Sequence, residues 1–125
     1  MGDDGGRRRH MRRGEIWQVD LDPARGSEAD THRPAVIVSN DAANSTAEQL
    51  GRGVITIVPV SSNLRRVYPF QVLLPADETG LHVDSKALAE QVRSVDAQRL
   101  AKHIATVPLP LMAALDDALR LHLSL

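Results

Sequence analysis

The chain contains no cysteine, only three aromatic residues and no long apolar run. The missing cysteine excludes disulfides and thiolate zinc sites, and it is compatible with a reducing cytoplasm. Trp17, Tyr68 and Phe70 are too few to build a sheet of stacked aromatics that grips single-stranded bases. No segment approaches the ~20 apolar residues of a membrane span, and GEIWQVDLDP follows the basic N-terminus where a signal peptide would be apolar. We therefore expect a cytoplasmic protein with no membrane partner.

Size and charge favour one folded domain after a short tail. The 125 residues, 42% hydrophobic and 25% charged, suit a single compact domain. Residues 1–12 are rich in Gly and Arg without an apolar period, which predicts a flexible extension with Met11 as an alternative start, or an arm that attracts RNA. Residues 13–125 form the predicted domain. This domain is mildly acidic, so a nucleic-acid partner would need a few locally placed cations.

Short β-branched segments dominate the predicted domain. They read EIWQVDLD, PAVIVS, VITIVPVS, PFQVLLP and ALAEQVRSV, with IATV at 104–107 as a candidate sixth strand. Their close spacing, with Gly and Pro between them, predicts a mainly β fold with α: a small, strongly curved antiparallel sheet or barrel of five to six strands. The segment 40–53 indicates a short helix or an ordered loop. A C-terminal amphipathic helix is predicted from apolar residues at three- and four-residue steps: Leu111, Met112, Leu115, Leu119 and Leu123.

The sequence offers no metal or cofactor motif. Phosphate-binding loops of the Walker and dinucleotide kinds are absent. A trio of Ser61, His32 and Asp84 is easily supplied by chance in a chain with this many Ser and Asp residues. The histidines are scattered, with no pair at ligand spacing: His10, His32, His82, His103 and His122. We therefore expect no metal and no cofactor.

Arg33 stands between a polar loop and an apolar strand. Pro34 restricts the preceding residue to extended geometry, so the arginine enters the strand from a fixed direction. One interpretation is an edge-strand arginine paired with Glu28 or Asp30. The other is a guanidinium fork aimed at a phosphate.

Four sequence blocks carry a resemblance to a known family. They are GEIWQVDLDPARGSEADTHRPAVIVSN, VPVSSN, YPFQV and AEQVRSV. In this order and spacing the chain resembles the MazF/PemK (Kid) family of bacterial toxin endoribonucleases. The resemblance implies an SH3-like barrel of the MazF/CcdB kind, working as a homodimer and held in check by a cognate MazE-like antitoxin. It also implies sequence-specific, ribosome-independent and metal-independent cleavage of single-stranded mRNA, leaving a 2′,3′-cyclic phosphate and a 5′-hydroxyl and inhibiting translation.

The resemblance also assigns residues. Arg33 matches the catalytic arginine of the R-P pair, and Ser61 falls where the family has a catalytic threonine. Serine keeps the hydroxyl but lacks the methyl that restricts its rotamer. Glu28 matches the acidic residue of the family's G-S-E loop, and His32 matches a histidine common before the R-P pair. The resemblance implies acid and base duties for the arginine itself; because a guanidinium stays protonated and is a poor base in isolation, Glu28 and His32 are the rival candidates for proton transfer.

RNA contacts are predicted for two stretches. The loop 21–32, which includes Ser27, is expected to help select the base. The second stretch, from Asn63 to Tyr68, supplies charge and one aromatic ring for phosphate contact and stacking, although a solvated turn anchored by an aromatic has the same pattern. The residues predicted to contact RNA in or beside this stretch are Ser62, Asn63, Arg65, Arg66 and Tyr68. Gln71 and Gln91 are added because they fall where the family has polar residues near the RNA.

Two other functions use the same barrel. A CcdB-like gyrase poison acts through a tryptophan near its C-terminus, whereas the only tryptophan here is Trp17. An inactive module that only binds an antitoxin is the other alternative, and Ser61 in place of threonine gives it some support.

Overall fold

A computed structural model describes residues 10–21 and 32–125. These residues form seven strands, three α-helices and two short 3₁₀ turns, at Ala89–Gln91 and Ala97–Arg99. The helices are α1 (Asp41–Leu50), α2 (Ala76–Thr79) and α3 (Leu109–Leu123). The strands are β1 (Glu15–Asp20), β2 (His32–Ile37), β3 (Val54–Ser61), β4 (Gln71–Leu74), β5 (Ser85–Leu88), β6 (Arg93–Asp96) and β7 (Leu100–Thr106).

The strands form one antiparallel sheet in the order β4-β5-β3-β2-β1-β7, with β6 also paired to β3. Strand β3 holds this arrangement together because its two ends have different neighbours. Residues 54–57 pair with β6, whereas Val60 and Ser61 continue beyond it and pair with β5. The predicted mainly β fold with a curved antiparallel sheet and a C-terminal helix is confirmed.

The predicted number of strands was too low. The segment ALAEQVRSV, predicted as one strand, is divided by the 3₁₀ turn at Ala89–Gln91, so β5 and β6 are separate strands. The N–H of Val92 donates to the carbonyl of Ala89 at 3.1 Å and closes this turn. The candidate sixth strand begins earlier than predicted, at Leu100.

Alternate residues of the central strands enter two apolar clusters, one on each face of the sheet. In β1, Ile16 enters the cluster under α3, while Trp17 enters the opposite cluster. This follows from the two-residue period of a strand, and it means that both faces of the sheet are covered. The α3 cluster includes Ile16, Val36, Val58, Leu74, Met112 and Leu115. The opposite cluster includes Trp17, Val19, Ile37, Ala47, Ile57 and Leu100.

Helix α1 and helix α3 begin at residues suited to a helix start. The side chain of Asn40 accepts from the N–H of Ala43 at 2.8 Å and caps α1. Within the segment 40–53, residues Asp41–Leu50 therefore form a helix. Helix α3 begins at Leu109, with Pro110 in its first turn, where a missing N–H costs nothing. The helix packs over β4 and the turn at 89–91, the part of the sheet next to the candidate site.

The packed part of the described chain begins before the predicted domain boundary at residue 13. Met11 is buried, and Arg12 forms an ion pair of 2.9 Å with Glu48 of α1. Arg13 pairs with Asp116 of α3. Residues 11 and 12 thus pack with the domain, while residues 1–9 of the predicted extension lie outside the described residues.

Candidate functional site

A groove of about 570 Å³ crosses the sheet where β2, β3 and β5 come close together. We call it the Arg33 groove. Five residues predicted for the site line it: Arg33, Ser61, Ser62, Asn63 and Gln91. Further polar side chains from four other segments share it: Gln18, His82, Ser85 and Arg93. Among the described residues no carboxylate lines this groove, so Arg33 and Arg93 make it locally positive in a domain that is acidic as a whole.

Arg33 stands on a rigid base. It is the second residue of β2 and lies opposite Val19 of β1. The strand continues through Ala35, Val36 and Ile37, whose side chains are completely buried. Within the described ranges no hydrogen bond or ion pair engages the Arg33 guanidinium, and Glu28 and Asp30 lie outside them. Five N–H donors on a fixed strand can therefore point at an oxyanion in the groove.

Ser61 ends β3 and starts a tightly wound loop. Its Oγ accepts from the N–H of Asn63 at 3.1 Å, and Oδ1 of Asn63 accepts from the N–H of Arg65 at the same distance. Such side-chain turns hold short loops in place of backbone pairing. Because the Ser61 hydroxyl accepts this bond, its own O–H remains able to donate to a substrate oxygen.

A second cavity, of about 360 Å³, continues from the first at Asn63, which lines both. We call it the Lys86 pocket; its lining is Asn63, Arg65, Arg66, Tyr68 and Lys86. The guanidinium carbon of Arg66 lies 5.8 Å from the centroid of the Tyr68 ring. The Tyr68 ring in turn stacks on Phe70 with centroids 5.3 Å apart. Four residues predicted to contact RNA thus line one pocket.

Gln71 lies outside both cavities. It is buried, and its Oε1 accepts from the N–H of Tyr68 at 3.1 Å. Its Nε2 donates to Oε2 of Glu90 at 2.6 Å. Both ends of the amide are therefore occupied inside the fold, so Gln71 supports the loop before β4. The structure does not place it in contact with a groove ligand.

His32 and Arg33 face different cavities although they are adjacent in the chain. His32 lies opposite Asp20 and lines a separate cavity with Arg99 and Asp96. Successive residues of a strand point to opposite sides, so the structure does not bring His32 together with Arg33 and Ser61. The other predicted loop residues, Ser27 and Glu28, lie outside the described residues.

Several residues that line the two cavities were not predicted. Gln18 lies opposite Pro34 in the pairing of β1 with β2 and lines the Arg33 groove, and its Oε1 is buried with no hydrogen bond in the described structure. Lys86 is brought opposite Ser61 by the pairing of β5 with β3. Arg93 had a sequence signal, because it lies two residues after Gln91 in the block AEQVRSV.

Neither a metal cluster nor a membrane helix is found in the described part of the chain. No three histidine or acidic side chains there are grouped closely enough to hold a metal ion. None of its helices is both long enough and apolar enough to cross a membrane.

Residues 12–123 match the family described as the PemK-like, MazF-like toxin of type II toxin-antitoxin systems. The chain belongs to this family. Its resemblance to MazF/PemK toxins, predicted from four sequence blocks, is confirmed.

Similar proteins carry the same family name. The chain is 67% identical over 115 residues to endoribonuclease MazF9 of Mycobacterium tuberculosis, an overlap of 92% of this chain and 98% of that protein. The crystal structure of MazF from Deinococcus radiodurans is 30% identical, with a TM-score of 0.71 and coverage of 91% and 96%. A MazE-MazF structure from the same organism is 27% identical, with a TM-score of 0.68 and the same coverage. These likenesses confirm the MazF fold.

Proposed function

We propose that the chain is a sequence-specific endoribonuclease, the toxin of a type II toxin-antitoxin pair. It cleaves single-stranded mRNA without a metal or a ribosome, leaves 2′,3′-cyclic phosphate and 5′-hydroxyl ends, and so inhibits translation. One observation carries the proposal: Arg33 and Ser61, the residues matched to the family's catalytic pair, line a single groove without a carboxylate among its described lining. Membership of the MazF-like family and the endoribonuclease name of the 67% identical relative support it.

The reaction begins when the 2′-hydroxyl of a ribose attacks the adjacent phosphorus. A new O–P bond forms as the 2′-hydroxyl gives up its proton, the bond to the 5′-oxygen of the next nucleotide breaks, and that oxygen takes up a proton to become the 5′-hydroxyl, so no net proton is consumed. Negative charge builds on the non-bridging oxygens during the step. The Arg33 guanidinium and the Ser61 hydroxyl donate to those oxygens, and donors fixed in advance stabilise a developing charge most strongly. His32 receives no proton-transfer role in this proposal, since it faces a different cavity from Arg33 and Ser61. Glu28 stays the sequence candidate for acid or base.

The partners follow from the same assignment. We expect a MazE-like antitoxin to bind the toxin, as MazE binds MazF in the Deinococcus radiodurans complex. We also propose a homodimer that acts in the cytoplasm, where mRNA is found. Exposed apolar side chains beside β4 and α3 support self-association, because monomers rarely leave such groups uncovered next to one another. They include Val67, Leu73 and Leu121, which line one apolar groove.

Cleavage without metal is the direct test of the proposed function. Purified protein is incubated in EDTA with a long synthetic RNA and no ribosomes, and the ends are mapped. We expect cuts at a few sequence-related sites, with 5′ ends that ligate only after treatment with a kinase and 3′ ends that carry a cyclic phosphate. Intact RNA would refute the proposed function and leave the two alternatives, a gyrase poison or an inactive antitoxin-binding module. A requirement for added divalent metal would refute the proposed chemistry.

Replacing Ser61 tests the hydroxyl. A hydrogen bond to a charged group contributes about 1.5–3 kcal/mol, so Ser61→Ala is expected to lower kcat about 10- to 100-fold. Ser61→Thr restores the family's residue and should keep or raise kcat, because the added methyl restricts the rotamer. Ser45→Ala, the same change on α1 and away from both cavities, is the control. Wild-type cleavage by Ser61→Ala would remove Ser61 from the site.

A further inference from the structure

The Lys86 pocket concentrates positive charge without acidic neighbours. Three of its five lining residues are cations, and none is a carboxylate. Arg65 and Arg66 are exposed, whereas only 8% of Lys86 is exposed. The pocket is therefore built around a lysine that comes from β5, a strand fixed in the sheet between β3 and β4.

The charge of a largely buried lysine needs compensation. Removing a charge from water is costly unless it is paired and hydrogen-bonded. The Nζ of Lys86 donates to the carbonyl of Arg66, and no ion pair joins it to any carboxylate in the described parts of the chain. An ammonium has three N–H donors, so a neutral carbonyl leaves its charge uncompensated and two donors available. An anion in the pocket would supply the missing counter-charge.

Lys86 is also the direct neighbour of Ser61. The two residues lie opposite each other in the antiparallel pairing of β3 with β5. Opposed residues share one face of a sheet, with Cβ atoms about 4.5–5.5 Å apart. Asn63 lines the wall of both cavities, so an extended strand of RNA leaving Ser61 can enter the Lys86 pocket without a break.

We propose that the Lys86 pocket binds a second RNA phosphate, next along the strand from the scissile one, with Lys86 as its central ligand. This rests on the proposed function, which places the scissile phosphate at Ser61. The stacked rings of Tyr68 and Phe70, with Arg66 against Tyr68, favour a nucleotide over an acidic peptide. An aromatic face beside a cationic pocket accommodates both the base and the phosphate of one nucleotide.

The test neutralises one phosphate at a time. An RNA oligonucleotide containing a mapped cleavage site is made with a single methylphosphonate at each position in turn. With wild type, we expect a methylphosphonate at one linkage near the scissile bond to raise KM about tenfold. A change of this size corresponds to the loss of a hydrogen bond to a charged group. Lys86→Met should raise KM about tenfold on the unmodified oligonucleotide, with a much smaller change in kcat. A methylphosphonate at that same linkage should then cause no further rise in the KM of Lys86→Met.

The control is Lys102→Met, the same substitution at the only other lysine of the chain. Lys102 is exposed on β7 and lines neither cavity, so its positional profile should match that of wild type. A Lys86→Met protein that responds to every linkage as wild type does would overturn the proposal and leave Lys86 as a support for the Arg66 carbonyl. If a thermal melt shows that Lys86→Met does not fold, Arg65→Ala replaces it in the same comparison. Arg65→Ala keeps the loop bond, because the donor to Asn63 is the backbone N–H of Arg65.

A binding assay separates this inference from the proposed function. The same oligonucleotides, with a 2′-O-methyl group at the cleavage site, are titrated by fluorescence anisotropy. If wild type cuts no RNA, the methylphosphonate series is made on an oligonucleotide that the protein binds; a single linkage whose effect on binding depends on Lys86 then leaves the phosphate site standing while the proposed function fails. If wild type cuts RNA and no linkage depends on Lys86, only the phosphate site fails. If Lys86→Met weakens binding of an oligoglutamate peptide but not of RNA, the occupant is an acidic protein segment and the proposal is overturned.

Discussion

Arg33→Ala is expected to lower kcat for RNA cleavage by about a thousandfold. Removing one preorganised donor from a developing oxyanion costs about 10²–10³ in kcat, and a guanidinium adds a full charge to its hydrogen bonds. The effect should appear in kcat more than in KM, because the charge on the phosphate oxygens grows as the 2′-hydroxyl attacks. Single-turnover cleavage of an oligonucleotide containing one mapped site measures it directly.

Two variants make the Arg33 result specific. Arg33→Lys keeps the charge but loses the planar fork, so its kcat should lie between those of wild type and Arg33→Ala. Arg52→Ala removes an exposed arginine near the end of α1 that lines neither cavity, and it should cut RNA like wild type. Cleavage by Arg33→Ala at the wild-type rate would exclude the proposed mechanism while leaving the family assignment intact.

The sequence predicted the central strands because they read as short, β-branched apolar runs. In β3, Ile55 and Ile57 face one apolar cluster, while Val58 and Val60 face the other. A strand buried on both faces reads as a continuous apolar run, and VITIVPVS is such a run. The division between β5 and β6 had no comparable signal, since the turn at Ala89–Gln91 contains neither Gly nor Pro.

Site residues could be predicted from the sequence only where a short sequence block identified them. Arg33 is positioned by its neighbour Pro34, and Ser61 by the end of an apolar strand, so the sequence led to both candidates, and both line the Arg33 groove. Lys86 lies opposite Ser61 because β5 pairs with β3, although the two residues are 25 positions apart in the chain. The register of such a pairing cannot be deduced from the sequence of one strand alone. His32 was proposed from the family resemblance, which does not show where a side chain points; neighbours within a strand point apart, and His32 lines a different cavity from Arg33.

Leu115 of helix α3 is expected to contribute strongly to the free energy of unfolding. Leu115 is completely buried in the cluster between α3 and the sheet. Leu115→Ala removes apolar contacts and leaves a cavity that the surrounding strands cannot fill, so it should lower the free energy of unfolding by about 3 kcal/mol. Urea denaturation measures the change. Cleavage per folded molecule should stay within a few-fold of wild type, because Leu115 lines neither cavity.

A matched leucine in the same helix isolates the effect of burial. Leu109 is 84% exposed, so Leu109→Ala makes the same chemical change with almost no apolar surface to lose. Its free energy of unfolding should stay within about 0.5 kcal/mol of wild type, as for most surface substitutions. Equal losses for the two variants would show that α3 does not pack on the sheet through Leu115. The turn at Ala89–Gln91 and β4 would then need another support to hold Glu90 and Gln71 behind the site.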